Sequence, residues 1–331
     1  MSLSGGLDSI LAAKVMLEQG IELEAVNFQT IFCTCTAKNA CCTAAKSAAD
    51  QLNIPLKVFN VSEEYLEVIK HPQHGYGSNM NPCIDCRIFM LKKAAQYMKE
   101  QGVSFIVTGE VLGERPMSQR KDAMRLIERE AGLTGYIVRP LSAQLMEPTI
   151  PEQQGLVDRT KLLAIHGRSR KPQIALAKQY NINDYPCPAG GCLLTDPNFA
   201  RRLRDLMKYD PDFNLSNVKL LKWGRHLRLS DKAKLVIGRD DADNMRVMAM
   251  VEDSDITIDS QVVSGPFALI RGHAQPDEIE RALGITAGYT KGKHLPKVSL
   301  VVKTGTSGAE KSIEVTPIPM ENQELVVSKM L

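Results

Sequence analysis

Aromatic residues are scarce in this chain, at 5% of 331 residues with a single tryptophan, so few base-stacking platforms are expected. A dominant charge is also missing. Lys and Arg number 41 against 38 Asp and Glu, a formal net charge of +3, so any grip on nucleic acid must come from local patches. No apolar run reaches transmembrane length and no secretory leader is recognisable, which makes a cytoplasmic protein without membrane contact the expectation. The 8 cysteines do not read as a disulfide framework, which belongs to small secreted chains. In the cytosol, clustered cysteines bind metal or do sulfur chemistry. No internal repeat or low-complexity tract is found. What is present is 44% hydrophobic residues, enough for real cores, and a length that fits two domains of ~100–200 residues each.

The most informative segment is Ser4-Gly5-Gly6-Leu7-Asp8-Ser9. Two glycines let the backbone bend and approach a ligand closely. Their N–H groups, with the Ser4 and Ser9 hydroxyls, can line an anion pocket. An apolar helical pattern follows at once (Ile10, Leu11, Ala13, Val15, Met16) and ends at Gly20, so the loop sits where a helix dipole favours phosphate. No lysine follows the glycines, which excludes the GxxxxGK[ST] loop of kinase-type chemistry. The plain alternative is a Gly-Gly turn capped by Asp8 or Ser9. Only Met1-Ser2-Leu3 precedes the loop, where a buried strand normally stands, so the first strand is expected to be weakened or incomplete.

Downstream, the pattern predicts strands at 21–29, 55–61, 103–108 and 136–138, and helices at 43–52, 83–100 and 118–130. This alternation implies an α/β fold, a doubly wound parallel sheet covered on both faces, with its ligand at the carboxyl ends of the strands. After about residue 210 the pattern changes to short strand-like runs at 234–237, 256–258, 267–270, 298–302 and 313–315, with one helix at 276–283. The expected organisation is a nucleotide domain over 1–205, a linker at 206–218 and a smaller α+β domain over 219–331.

Cys83-Ile84-Asp85-Cys86 opens the helix predicted at 83–100, with both thiols on one face. A helix N-terminus lowers a thiol pKa. A second pair, Cys187 and Cys192, follows much later. The residues alone leave open a structural zinc site, a redox disulfide, buried spectators, an iron–sulfur cluster or persulfide chemistry. Cys33, Cys35, Cys41 and Cys42 form a further cluster, read either as a loop of small residues near the nucleotide or as a second metal site or sulfur relay. Basic residues gather at Arg168, Arg170 and Lys171 and at Arg201, Arg202 and Arg204, with Arg115, Arg120 and Lys121 extending the set. They read either as solvated helix faces or as phosphate contacts to nucleic acid. His71, His74 and Tyr76 could touch nucleotide or metal.

The glycine loop resembles the pyrophosphate loop of the PP-loop ATPases. Asn81-Pro82-Cys83-Ile84-Asp85-Cys86-Arg87 resembles the NPCxxCN element of tRNA 2-thiouridine synthetases, and Gly191-Cys192-Leu193-Leu194 with Phe199 is similar to their second cysteine segment. Thr108-Gly109-Glu110-Val111-Leu112-Gly113, Ser118-Gln119 and Arg139-Pro140-Leu141 look like stretches of the tRNA 4-thiouridine synthetases. Gly224-Arg225-His226, Ile237-Gly238-Arg239 and Asn244 resemble the RNA-binding module of NFACT proteins.

The resemblance implies an ATP-dependent tRNA sulfurtransferase that adenylates a uridine oxygen, releases pyrophosphate and then delivers sulfur. It implies that Ser4, Gly5, Gly6, Asp8 and Ser9 hold the pyrophosphate with Mg2+, and that Gly109 and Glu110 lie near the nucleotide. Sulfur would pass either through a Cys192 persulfide resolved by Cys83 or Cys86, or through an iron–sulfur cluster on Cys83, Cys86 and Cys192, the route slightly favoured. Cys187 could instead close a four-ligand site, with zinc as the alternative metal. tRNA and a sulfur donor (a cysteine desulfurase, a sulfur carrier or free sulfide) are the implied partners. The competing readings are a PP-loop amidating or nitrile-forming ligase and a non-catalytic, zinc-stapled RNA-binding protein.

Overall fold

The structure, a computed structural model, describes residues 1–33, 41–185, 192–260, 263–319, 321–322 and 329–330. The chain divides into two compact units, Met1–Asp196 and Pro197–Leu331. No helix among the described residues is long and apolar enough to cross a membrane.

The first unit runs α1 (Leu7–Leu17), β1 (Ala25–Gln29), α2 (Cys41–Leu52), β2 (Leu56–Asn60), α3 (Ser62–Lys70) and α4 (Cys83–Glu100). It continues with β3 (Ile106–Val107), α5 (Lys121–Ala131), β4 (Ile137–Val138), α6 (Ile150–Gln153) and α7 (Lys171–Gln179). β1 pairs with β2 and β3 with β4, all in parallel. Between these pairs lies the start of the chain. Ser2 bridges Val26 on one side and Thr108 on the other, through Ser2 N–H to Val107 O and Leu3 N–H to Val26 O, both 2.9 Å. The first strand is thus a single bridging residue, short as the sequence predicts.

Alternation along the strands shows that both sheet faces are covered. Val107 and Val138 join a core with Leu7, Ile10 and Leu11 of α1 and Ala48 of α2. Their neighbours Ile106 and Ile137 turn the other way, into a core with Ile88 and Leu91 of α4 and Ile127 of α5. Side chains two apart share a face, so two residues per strand suffice to feed both cores. This is the doubly wound α/β fold.

The second unit begins with α8 (Pro197–Tyr209) and α9 (Leu215–Leu220), which together take up most of the segment 206–218 read above as a linker. It then runs β5 (Arg225–Ser230), β6 (Ala233–Ile237), α10 (Asp241–Met248), β7 (Ile256–Asp259), β8 (Ala268–Gly272), α11 (Pro276–Ala287), β9 (Val298–Thr304), β10 (Lys311–Val315) and β11 (Lys329–Met330). Among the described residues, seven strands form one antiparallel sheet in the order β10-β9-β7-β8-β6-β5-β11. Leu227, Leu235 and Ile270 face α11, while Val236 and Leu269 face Leu220 of α9 and Val247 of α10.

Candidate functional site

The phosphate loop sits at the carboxyl end of the Ser2 bridge, with Gly6 as N-cap of α1. Gly5 has φ +78, and a Cβ there would lie 2.4 Å from the Ala44 carbonyl carbon of α2. Only glycine fits both the left-handed turn and that approach. Ser4 and Ser9 face each other at 3.2 Å, and Ser9 Oγ donates to Gly6 O at 2.8 Å. Gly109 closes the far side: a Cβ on it would lie 2.6 Å from Ser9 Cα. The structure therefore brings Ser4, Gly5, Gly6, Asp8, Ser9 and Gly109 together.

Asp8 is the least satisfied member. Its Oδ1 is buried without a hydrogen-bond partner. Burial raises its pKa, against the pull of Arg170, Gln173 and Arg115 nearby. A buried, orphaned carboxylate oxygen at a phosphate loop fits a cation, as Mg2+ requires. Arg170 was read above as an RNA contact, but it stands beside Asp8 with its Nε buried. Arg168 and Lys171 are exposed.

Glu110 is differently placed. Its side chain is 2% exposed. Arg87 approaches Oε1 at 2.7 Å, and Arg139 donates to Oε2 at 2.9 Å. Burial alone would raise this carboxyl, but the two guanidiniums outweigh it and hold the pKa at about 2. Glu110 thus ties α4 to β4, with both oxygens engaged.

The thiols converge by backbone lacing. Leu193 N–H donates to Phe32 O at 3.0 Å, Met80 N–H to Leu194 O at 3.0 Å, and Asn79 Nδ2 to Thr195 O at 2.8 Å. The Cys192 segment is thereby held between the loop before α4 and the turn after β1. Cys33, Cys83, Cys86 and Cys192 are all free and half-buried. Cys86, Cys33 and Cys83 lie near enough to disfavour charge on Cys192. Burial is the larger cause and pushes the Cys192 thiol up to about 12. It raises Cys83 and Cys86 as well, against Arg115 and Arg87 at Cys83 and against Tyr65 and Arg87 at Cys86. The lowered thiol pKa expected at a helix start is reversed here, because desolvation outweighs the dipole.

Asp85, between the paired cysteines, anchors the neighbouring loop by accepting from the Gln73 and His74 N–H groups at 3.0 and 3.1 Å. His74 contacts Asp85 and Glu130, and the Tyr76 hydroxyl donates to Ile69 O. Cys35 and Cys187 lie outside the described residues, and Cys41 and Cys42 open α2. Among the described residues no three His, Cys, Asp or Glu side chains are gathered to hold a metal ion. Arg201 and Arg202 lie on α8 of the second unit, where Arg202 Nη1 donates to Leu221 O at 2.9 Å.

The two centres are neighbours. Arg115 acts electrostatically on both Asp8 and Cys83. Sequence reasoning missed Arg115 and Gln173 as members of the nucleotide site and Cys33 as a member of the thiol group. No local motif marks them, since each is brought in by a distant segment.

Residues 1–147 match the family described as thiamine biosynthesis protein (ThiI), and residues 224–325 match the NFACT protein RNA binding domain. The first unit is thus similar to the PP-loop tRNA thiouridine synthetases. A tRNA-specific 2-thiouridylase MnmA of Acetivibrio thermocellus is 34% identical over 126 residues, covering 33% of this chain and 34% of that protein. The same enzyme of Stutzerimonas stutzeri is 26% identical over 235 residues, 68% of this chain and 59% of its own. The chain thus spans between about a third and three-fifths of these curated relatives. A solved 4-thiouridine synthetase–RNA complex with bound ATP is 24% identical, with a TM-score of 0.33, over 42% of this chain and 35% of its own.

Proposed function

We propose that the protein is an ATP-dependent tRNA uridine thiolase. The observation that carries this reading is a first-unit site in which Arg115 acts on both Asp8 of the phosphate loop and Cys83, while the Leu193–Phe32 and Met80–Leu194 hydrogen bonds hold the Cys192 segment between the turn after β1 and the loop before α4. A uridine carbonyl carbon resists sulfur because its oxygen leaves poorly. Attack of that oxygen on the α-phosphorus of ATP expels pyrophosphate and leaves an O-adenylate. Sulfur then adds to the carbon and AMP departs.

Ser4, Ser9 and the amides at the start of α1 would bind the pyrophosphate. Mg2+ held by Asp8 would neutralise phosphate charge. Glu110 would hold Arg87 beside the thiols. Sulfur would leave from Cys192 as a persulfide, with Cys83 or Cys86 resolving the product. A cluster on Cys83, Cys86 and Cys192 is the other route; Cys187 would instead close a four-ligand site, with zinc as the alternative metal. The side chains as they stand form no ligand set, so no step is written through a metal.

Residues 219–331 would act as the RNA-binding accessory domain beside a thiolation domain in the first unit, the segment 206–218 being largely helical rather than an open linker. In support, Arg246 stacks 4.1 Å over Trp223 and Arg225 lies 5.0 Å over Tyr289, which presents guanidiniums in fixed orientation. Arg168, Lys171, Arg201 and Arg202 are the further candidate RNA contacts. The protein's tRNA and sulfur donor belong to the same proposal.

The test is mass spectrometry of tRNA nucleosides from cells lacking the protein beside the parent. Loss of one thiolated uridine, restored by the wild-type chain but not by Cys192→Ser, is the expected result. An unchanged thionucleoside profile overturns the reading.

A further inference from the structure

Three buried polar groups around the phosphate loop lack hydrogen-bond partners: Asp8 Oδ1, Arg170 Nε, and both the oxygen and the nitrogen of the Gln173 amide. Gln173 is 0% exposed, so no bulk water reaches it. Its amide lies close enough to Asp8 to favour the ionised carboxylate, yet off hydrogen-bond geometry. An amide buried in this state is destabilising, since it has given up its water without gaining a partner. Such a cost persists where a ligand later supplies the partner. α7 carries both residues to this place by packing against α1, as Ala177 joins the core built on Leu7, Ile10 and Leu11.

The charges point the same way. A carboxylate at a phosphate loop repels an incoming polyphosphate unless cations stand with it. Two guanidiniums, Arg170 and Arg115, act on Asp8, and Arg170 also acts on Glu114. Of the basic run Arg168, Arg170 and Lys171, only Arg170 is turned inward.

We propose that Arg170 and Gln173 are pyrophosphate-binding residues, Arg170 neutralising the β and γ phosphates of ATP and Gln173 donating its amide N–H to a phosphate oxygen. This deepens the nucleotide half of the thiolase reading and rests on it. α7 then forms the wall of the site opposite the glycine loop, and Arg170 leaves the set of RNA contacts.

The test is calorimetric binding of inorganic pyrophosphate, ATP and AMP to the full chain with Mg2+ and without tRNA. Charge-assisted hydrogen bonds contribute about 1.5–3 kcal/mol, so Arg170→Ala should weaken pyrophosphate and ATP binding about 10- to 100-fold and leave AMP within twofold. Arg170→Lys should recover part of the loss, and Lys178→Ala, on the exposed side of α7, should leave pyrophosphate affinity unchanged. Gln173→Leu should weaken pyrophosphate while leaving the melting temperature equal or higher, because it removes an unpaired amide. Unchanged pyrophosphate affinity in Arg170→Ala overturns the proposal, as does a lowered melting temperature with full affinity in Gln173→Leu. If the wild-type chain binds neither ATP nor pyrophosphate, the nucleotide reading itself fails, a different result from equal binding by wild type and variants.

Discussion

Asp8 in the first unit is a half-buried acid and Asp205 in the second a fully buried one, both facing cationic side chains, and they are treated in opposite ways. Asp205 is 2% exposed and accepts from Arg228 Nε at 3.2 Å, with Lys234 at 4.0 Å. The Arg228 guanidinium in turn lies 4.7 Å over Tyr209, and burial lowers the Lys234 pKa to about 7. That group of charges closes on itself. Asp8 keeps one oxygen unpaired beside an equally unpaired Gln173. A buried charge that is fully partnered specifies architecture, whereas one left open implies that its partner arrives from outside.

The comparison breaks most easily at Asp205. Asp205→Ala leaves Arg228 and Lys234 buried without their anion, and the expected cost is about 3–5 kcal/mol, read as a lowered midpoint in chemical denaturation. ATP binding to the surviving first unit should persist. An unchanged midpoint would mean that Asp205 contributes no more than a surface charge.

Asp8→Asn should do the reverse. Thermal unfolding stays put or rises slightly, since a desolvated charge is removed. ATP–pyrophosphate exchange should fall about 10²–10³-fold, the size of a lost electrostatic contact in a water-poor site. Equal losses of stability and exchange would make Asp8 an architectural residue like Asp205.

Glu110 sharpens the contrast within one unit. Its pKa is depressed from 4.5 to about 2. A depressed carboxyl contributes stability that is fully present above pH ~4.5 and is lost as pH falls toward 2, about 3 kcal/mol in all. Asp8, shifted upward, contributes with the opposite sign. Unfolding free energy measured from pH 5 to 2 in wild type and Glu110→Gln should therefore fall steeply only in the wild type.

Much of the site is legible in the sequence because it is local. Ser4 through Ser9 carry their turn, hydroxyls and helix start within six consecutive positions, and Cys83 with Cys86 carries its spacing. The alternation that covers both sheet faces is readable in Ile106-Val107 and Ile137-Val138. The rest depends on distant segments. Gln173 reaches Asp8 because α7 packs on α1, and the turn that carries Cys33 meets the Cys192 segment through the Leu193–Phe32 hydrogen bond. The direction of the thiol pKa shifts was also hidden, since a helix start is visible in sequence but the depth of burial is not. In the second unit, Asp205 and Arg228 carry no pattern that marks them as partners.

The double bridge at Ser2 has a consequence for synthesis. Its neighbours are Val26 and Thr108, so this segment cannot be seated until β3 has left the ribosome. At about 5–20 residues per second, the glycine loop waits several seconds, tethered but without its floor. During that interval the nascent chain cannot trap nucleotide, and the ATP site becomes competent only when the middle of the domain arrives to hold its beginning.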